Sequence, residues 1–148
     1  MNTAVVYGSV TGNTRRVAEA IAAEVGVGAR PAREVRSLDG CELLFLGSGV
    51  YGGVPARAVR RLLRGTESLA GVKVALFGTY GGIPSQLERM ARAVEARGAV
   101  ILGRFSCKGR DWFVLGFVAR GHPSATDLAA AAAFARQARA RAAQSKSE

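Results

Sequence analysis

No apolar run in this sequence approaches the ~18 residues that a membrane-spanning helix needs. The N-terminus enters a buried-strand pattern at once, Ala4-Val5-Val6-Tyr7, without the basic, apolar and cleavage regions of a signal peptide. Histidine occurs once, at His122, and cysteine twice, at Cys41 and Cys107. Residues so few and so scattered build neither an ordinary zinc site nor a CxxC redox pair. A cytoplasmic protein with two unbridged thiols and no metal is the expectation. Acidic residues are the other scarcity: eleven Asp and Glu stand against 21 Lys and Arg, a formal net charge of +10. Such a surplus attracts nucleic acid, anionic membranes and acidic proteins. The arginines are nevertheless spread along the outer faces of the expected helices. They form no basic stripe interleaved with aromatics and no nucleic-acid-binding module, so the charge reads as a solvated surface.

With 49% hydrophobic and 22% charged residues over 148 positions, the chain suits one folded domain, residues 1–148, with residues 145–148 as a frayed tail. Strand-like apolar runs alternate with helical patterns. A first strand ends at Tyr7. A helix spans about Asn13 to Val25, with Val17, Ala18, Ile21, Ala22 and Val25 on one face. A weak second strand lies within Ala29 to Val35, where Pro31 and the arginines suit a sheet edge. Leu43 to Leu46, Val72 to Phe77 and Val100 to Leu102 give three more strands. Helices are expected after Pro55, placed in a first turn, after Pro84, and from near Ser124, where Asp127 completes a capping box. The helix between strands two and three is expected to be missing or reduced to a turn. Apolar strands joined by helical crossovers imply an α/β protein, a doubly wound parallel sheet covered on both faces in three layers.

In such a sheet, ligands bind beyond the carboxyl ends of the strands. Three loops there carry the chemistry. The first, Ser9-Val10-Thr11-Gly12-Asn13-Thr14, joins a strand to a helix start. It offers three hydroxyls, a glycine that admits close approach, and the unpaired N–H groups of the helix, which together favour an anionic oxygen. It matches neither GxxxxGK[ST] nor GxGxxG. The second and third are Gly47-Ser48-Gly49-Val50-Tyr51-Gly52-Gly53-Val54-Pro55 and Gly78-Thr79-Tyr80-Gly81-Gly82. Each combines glycines with a tyrosine able to face a flat ring.

The run Val5-Val6-Tyr7-Gly8-Ser9-Val10-Thr11-Gly12-Asn13-Thr14, followed by Ala18 and Ile21, resembles the signature of the flavodoxin family, whose phosphate loop has the form [ST]xTGxT. The second and third loops stand where that family places its flavin ring, and the resemblance extends through Gly121-His122-Pro123. It implies a flavodoxin-like five-stranded sheet of order 2-1-3-4-5 and a bound FMN. Ser9, Val10, Thr11, Gly12, Asn13 and Thr14 would hold the phosphate. Ser48, Gly49, Val50, Tyr51, Gly52 and Gly53, with Thr79, Tyr80, Gly81 and Gly82, would hold the ring. No acid–base pair stands out in these loops, so no catalytic side chain is assigned. The implied role is an electron carrier between redox partner proteins. The alternatives are an FMN-dependent NAD(P)H:quinone-type reductase and, more weakly, a basic binding domain that has lost FMN. Family members that carry electrons are typically acidic, and this chain is basic, so its redox partners are expected to present acidic docking surfaces. The aromatic segment Lys108 to Pro123, with Trp112, Phe113 and Phe117, is expected either to cover the core or to form a lid or contact patch near the flavin.

Overall fold

The computed structural model describes every residue except 10–11, 52–53, 81–85, 109–122 and 147–148, and describes Tyr51, Tyr80, Lys108 and Lys146 by their backbone alone. The described strands are β1 (Thr3–Gly8), β2 (Ala29–Pro31), β3 (Leu43–Tyr51), β4 (Val54–Pro55), β5 (Lys73–Tyr80) and β6 (Val100–Lys108). The helices are α1 (Asn13–Val25), α2 (Arg57–Arg64), α3 (Gln86–Glu95) and α4 (Ala125–Lys146). Five strands run parallel in the order β2-β1-β3-β5-β6. Without the short β4, this is the expected 2-1-3-4-5 order. Between β2 and β3 a single 3-10 turn, Ala32–Glu34, replaces a crossover helix.

Alternation along the strands sorts the core onto two faces. Val6, Leu44, Leu46, Val74 and Leu76 meet Val59, Leu62 and Leu63 of α2 and Leu87, Met90 and Val94 of α3. Val5, Tyr7, Phe45 and Phe77 meet Val17, Ala18 and Ile21 of α1 and an alanine stripe of α4, Ala131, Ala135, Ala138 and Ala142. Small side chains at that helical spacing bring α4 close to the sheet. Phe134 fills the remaining gap, edge-on to Phe45 with ring centroids 6.4 Å apart and stacked on Phe105 at 5.6 Å.

Two local expectations are corrected. Pro55 does not lie in the first turn of a helix: it pairs with Val50 in the antiparallel β3–β4 hairpin, and Ala56 precedes α2. Proline is tolerated on so short an outer strand because no further strand needs its missing N–H. At the other end, Ser145 and Lys146 belong to α4 and not to a frayed tail, with the Ser145 hydroxyl donating to the Ala142 carbonyl at 3.1 Å. The capping box is present. The Ser124 N–H donates to Asp127 Oδ2 at 2.8 Å and the Asp127 N–H to Ser124 Oγ at 3.2 Å. His122 and Pro84 lie outside the described residues.

Cys41 and Cys107 are both free thiols. Burial pushes the Cys107 thiol up to about 12, with the nearby Asp127 charge adding to the effect. The unfolded thiol ionises near 9.0. From that pH upward the unfolded chain therefore sheds a proton that the folded chain keeps, and stability falls until the folded thiol also titrates. Denaturation midpoints should drop more steeply between pH 9 and pH 11 in the native chain than in Cys107→Ala. Parallel slopes in the two proteins would remove the thiol from this account.

Candidate functional site

β1, β3 and β5 end side by side, since Gly8 pairs with Ser48 and Ser48 with Gly78. The three glycine- and hydroxyl-rich segments therefore leave one edge of the sheet together. Three close approaches require glycine along these strands. A Cβ on Gly8 would stand 2.7 Å from Val59 Cγ2, one on Gly47 2.0 Å from the Phe77 ring, and one on Gly78 2.6 Å from Gln86 Nε2.

The first segment turns into α1 through Gly12, whose φ of +88° is a left-handed conformation natural to glycine. Among the described residues a Cβ there would meet nothing within 4 Å. Gly12 is also the N-cap and supplies no side-chain hydrogen bond to the helix. The first N–H groups of α1 thus lack the usual side-chain partner, and no acidic residue stands in the first turn. The Gly12 N–H itself donates to Ser9 Oγ at 2.9 Å, which closes the turn. Val10 and Thr11 lie outside the described residues. Arg15, just inside the helix, pairs with Glu19 at 2.8 Å on the exposed face, and that hydrogen bond raises its pKa.

Thr14 is buried, and its hydroxyl lies 2.7 Å from the hydroxyl of Thr79, also buried, on the neighbouring β5. Two residues assigned by sequence to different loops therefore touch. A hydroxyl pair uses one proton between its members and leaves the acceptor's own proton free to donate elsewhere. The first and third segments are tied together and still offer a donor.

Ser48 behaves differently. Its Oγ donates to the Gly49 carbonyl at 2.7 Å and accepts the Ala56 N–H, also at 2.7 Å. With no exposure, this side chain closes the β3–β4 hairpin and sets the start of α2. Gly49 and Val50 follow it in β3, and Tyr51 pairs with Val54. Tyr80 pairs with Lys108 at the end of β5. Gly52, Gly53, Gly81 and Gly82 lie outside the described residues, as does most of the aromatic segment from Lys108 to Pro123.

Sequence reading missed Gln86. It is fully buried at the start of α3, and its Nε2 donates to the carbonyls of Ser48 and Thr79, both at 3.1 Å. One amide group thus clamps the ends of β3 and β5, the two strands that carry the second and third segments. Its Oε1 is buried and has no hydrogen-bond partner among the described residues. Nothing in the string Ser85-Gln86-Leu87 distinguishes it from a surface glutamine. Among the described residues no cluster of His, Cys, Asp or Glu could hold a metal ion, and no helix is long and apolar enough to cross a membrane.

A family model described as a flavodoxin domain matches residues 4–112, more than half of the chain. The chain belongs to the flavodoxin family. No curated protein sequence matches this flavodoxin domain at a significant level. Solved structures do. A flavodoxin from the domain Archaea superposes with a TM-score of 0.75 at 20% identity, over 96% of this chain and 99% of that one. The rubredoxin oxygen:oxidoreductase of Desulfovibrio gigas gives 0.78 at 15% identity, over 94% of this chain but 35% of the larger one. A Fusobacterium nucleatum flavodoxin mutant bound to flavin mononucleotide gives 0.62 at 15% identity, over 74% and 76%. At these identities the likenesses establish the flavodoxin fold.

Proposed function

We propose that the chain is an FMN-binding electron-transfer protein and that the edge described above is its cofactor site. The observation that carries this reading is the glycine-capped start of α1, with no described residue within 4 Å of a Cβ placed on Gly12 and the Thr14–Thr79 hydroxyl pair beside it. A helix N-terminus with uncapped N–H groups, flanked by hydroxyls, suits a dianionic phosphate. Ser9, Val10, Thr11, Gly12, Asn13 and Thr14 would hold the phosphate through hydroxyls and backbone N–H groups. Gly49 to Gly53 and Thr79 to Gly82 would bound the ring, with Ser48 and Gln86 holding those segments in register. The family membership and the FMN-bound F. nucleatum relative support the same ligand. When bound, FMN supplies one- and two-electron redox chemistry, and the protein contributes position and electrostatics.

A carrier and a reductase are separated by turnover. The carrier reading predicts a flavin absorption spectrum in the purified protein and negligible steady-state NADH or NADPH oxidation with quinones unless a partner reductase is added. Sustained turnover by the isolated protein would favour the quinone-type reductase.

Charge gives a second expectation. The segments Ser9–Thr14, Gly47–Pro55 and Gly78–Pro84 contain no Asp or Glu, and the chain carries +10. No carboxylate in them opposes negative charge added to the ring on reduction, and salt screens only the exposed arginines. The second one-electron potential should lie above that of an acidic flavodoxin titrated side by side, and the gap should narrow with ionic strength. Equal potentials would show that stacking and loop hydrogen bonds, and not charge, set the value.

A further inference from the structure

α2 is half arginine, and its two flanks differ. On one side, a hollow of about 480 Å³ lies between α2 and the turn that follows β2. Val35 and Leu62 contribute to its apolar floor, and Arg33, Arg36, Arg57 and Arg61 stand around it, all four exposed. Among the described residues none of these four side chains makes a hydrogen bond or ion pair, whereas Arg15, Arg92, Arg104 and Arg136 elsewhere each meet a glutamate. On the other side of α2 a second hollow, about 380 Å³, also has four arginines. Two of them are engaged internally: Arg60 donates to the Pro55 carbonyl and Arg97 to the carbonyls of Thr66 and Ala93.

Position adds to charge. Arg57 opens α2 directly after the hairpin that bounds the second glycine-rich segment, and Arg33 and Arg36 leave the carboxyl end of β2. The first hollow therefore begins at the sheet edge that carries the proposed FMN site. No Asp or Glu occurs from Val54 to Thr66, so Arg57 and Arg61 have no acid on their own segment, and Glu34 is the one acid in the turn between Arg33 and Arg36: four positive charges around the hollow outweigh it.

We infer that this arginine-rimmed hollow is the surface on which an acidic redox protein docks. The inference rests on the electron-transfer reading above. An apolar centre inside a charged rim is the anatomy of a protein–protein contact, and unpaired exposed charge beside a redox centre steers an oppositely charged partner. A small-anion site would instead present a few fixed polar groups within a concave wall, and here all four arginines are exposed on long stems. The partner fits if it carries several carboxylates around an apolar patch.

The test uses the purified protein and a reduced, acidic plant-type [2Fe–2S] ferredoxin as probe. One electron leaves the ferredoxin cluster and arrives on the bound flavin. The charge-reversing pair Arg33→Glu/Arg61→Glu is compared with Arg64→Glu/Arg89→Glu in the other hollow, an equal change in net charge. Stopped-flow rates at low salt should fall about tenfold or more in the first pair and less than about threefold in the second. The milder Arg33→Gln/Arg36→Gln should fall in between, with thermal midpoints and flavin content unchanged. Calorimetric affinity for the ferredoxin should weaken in the same order. That arm needs no flavin, so loss of binding in the first pair alone, in a protein found to lack FMN, would defeat the cofactor reading and sustain the docking surface. Equal losses in both pairs, or none in either, would overturn the inference. So would tight stoichiometric binding of inorganic tripolyphosphate that the first pair abolishes, because the hollow would then be a small-anion site.

Discussion

Gly47→Ala should lower the thermal midpoint by roughly 6–12 °C, about 3 kcal/mol for a domain of this size. Gly47 lies in the central strand β3, between Tyr7 of β1 and Phe77 of β5. The Phe77 ring occupies the space where a side chain would stand, at 2.0 Å from an added Cβ, and it is fully buried. Ring and methyl cannot coexist at that distance. Phe77 would have to leave its rotamer against Val5, Tyr7 and Phe45, its neighbours on the α1–α4 face, or the strands would have to part. Excess flavin raises the midpoints of both proteins by mass action, so the difference between native and variant should persist with ligand present. Differential scanning calorimetry without ligand is the check, and a midpoint within 2 °C of the native value would mean that the packing around Phe77 is looser than described.

Thr14→Ala and Thr11→Ala should each weaken FMN binding by roughly ten- to a hundredfold. In the proposed site each would remove a hydroxyl that donates to the phosphate, and hydrogen bonds to charged groups contribute about 1.5–3 kcal/mol. For Thr14 the structure adds a second consequence. Its hydroxyl is the partner of the Thr79 hydroxyl, so removal also loosens the link between the first and third segments. Thr14→Ala and Thr79→Ala should therefore be non-additive in a double-mutant cycle, while Thr14→Ser should recover most of the affinity. Quenching of flavin fluorescence gives the constants. Native affinity in both alanine variants would remove the hydroxyls from the site.

The fold was legible because each of its signals is local. The apolar spacing Val17, Ala18, Ile21 and Ala22 defines the α1 face that the structure buries, and the run Leu43 to Leu46 reads as a fully covered central strand. The segment Ser9 to Thr14, proposed as the phosphate loop, stood out because its residues are contiguous with the start of α1, which the structure places at Asn13. What escaped depends on contacts distant in sequence. The Thr14–Thr79 bond joins residues 65 positions apart, and Gln86 reaches back 38 positions to Ser48. Helical periodicity marks both faces of α3 but cannot tell a clamp from a surface amide. Pro55 misled because its two common roles, first helical turn and outer strand, share the same local sequence, and only the pairing with Val50 decides between them. The arginine-rich character of α2 was visible, but not the division of its arginines into internally bonded and unpaired sets.

The central claim is that the start of α1 encloses a terminal phosphate. Comparing the affinities of the flavin-free protein for FMN and for riboflavin tests it most directly, since the two ligands share the ring and differ in the phosphate. The phosphate-cradle account predicts that FMN is the flavin extracted from the purified protein and that riboflavin binds at least about a hundredfold more weakly, the equivalent of one or two charge-assisted hydrogen bonds. Equal affinity for the two would contradict it, leaving Gly12 and the hydroxyls around it as an ordinary strand-to-helix turn.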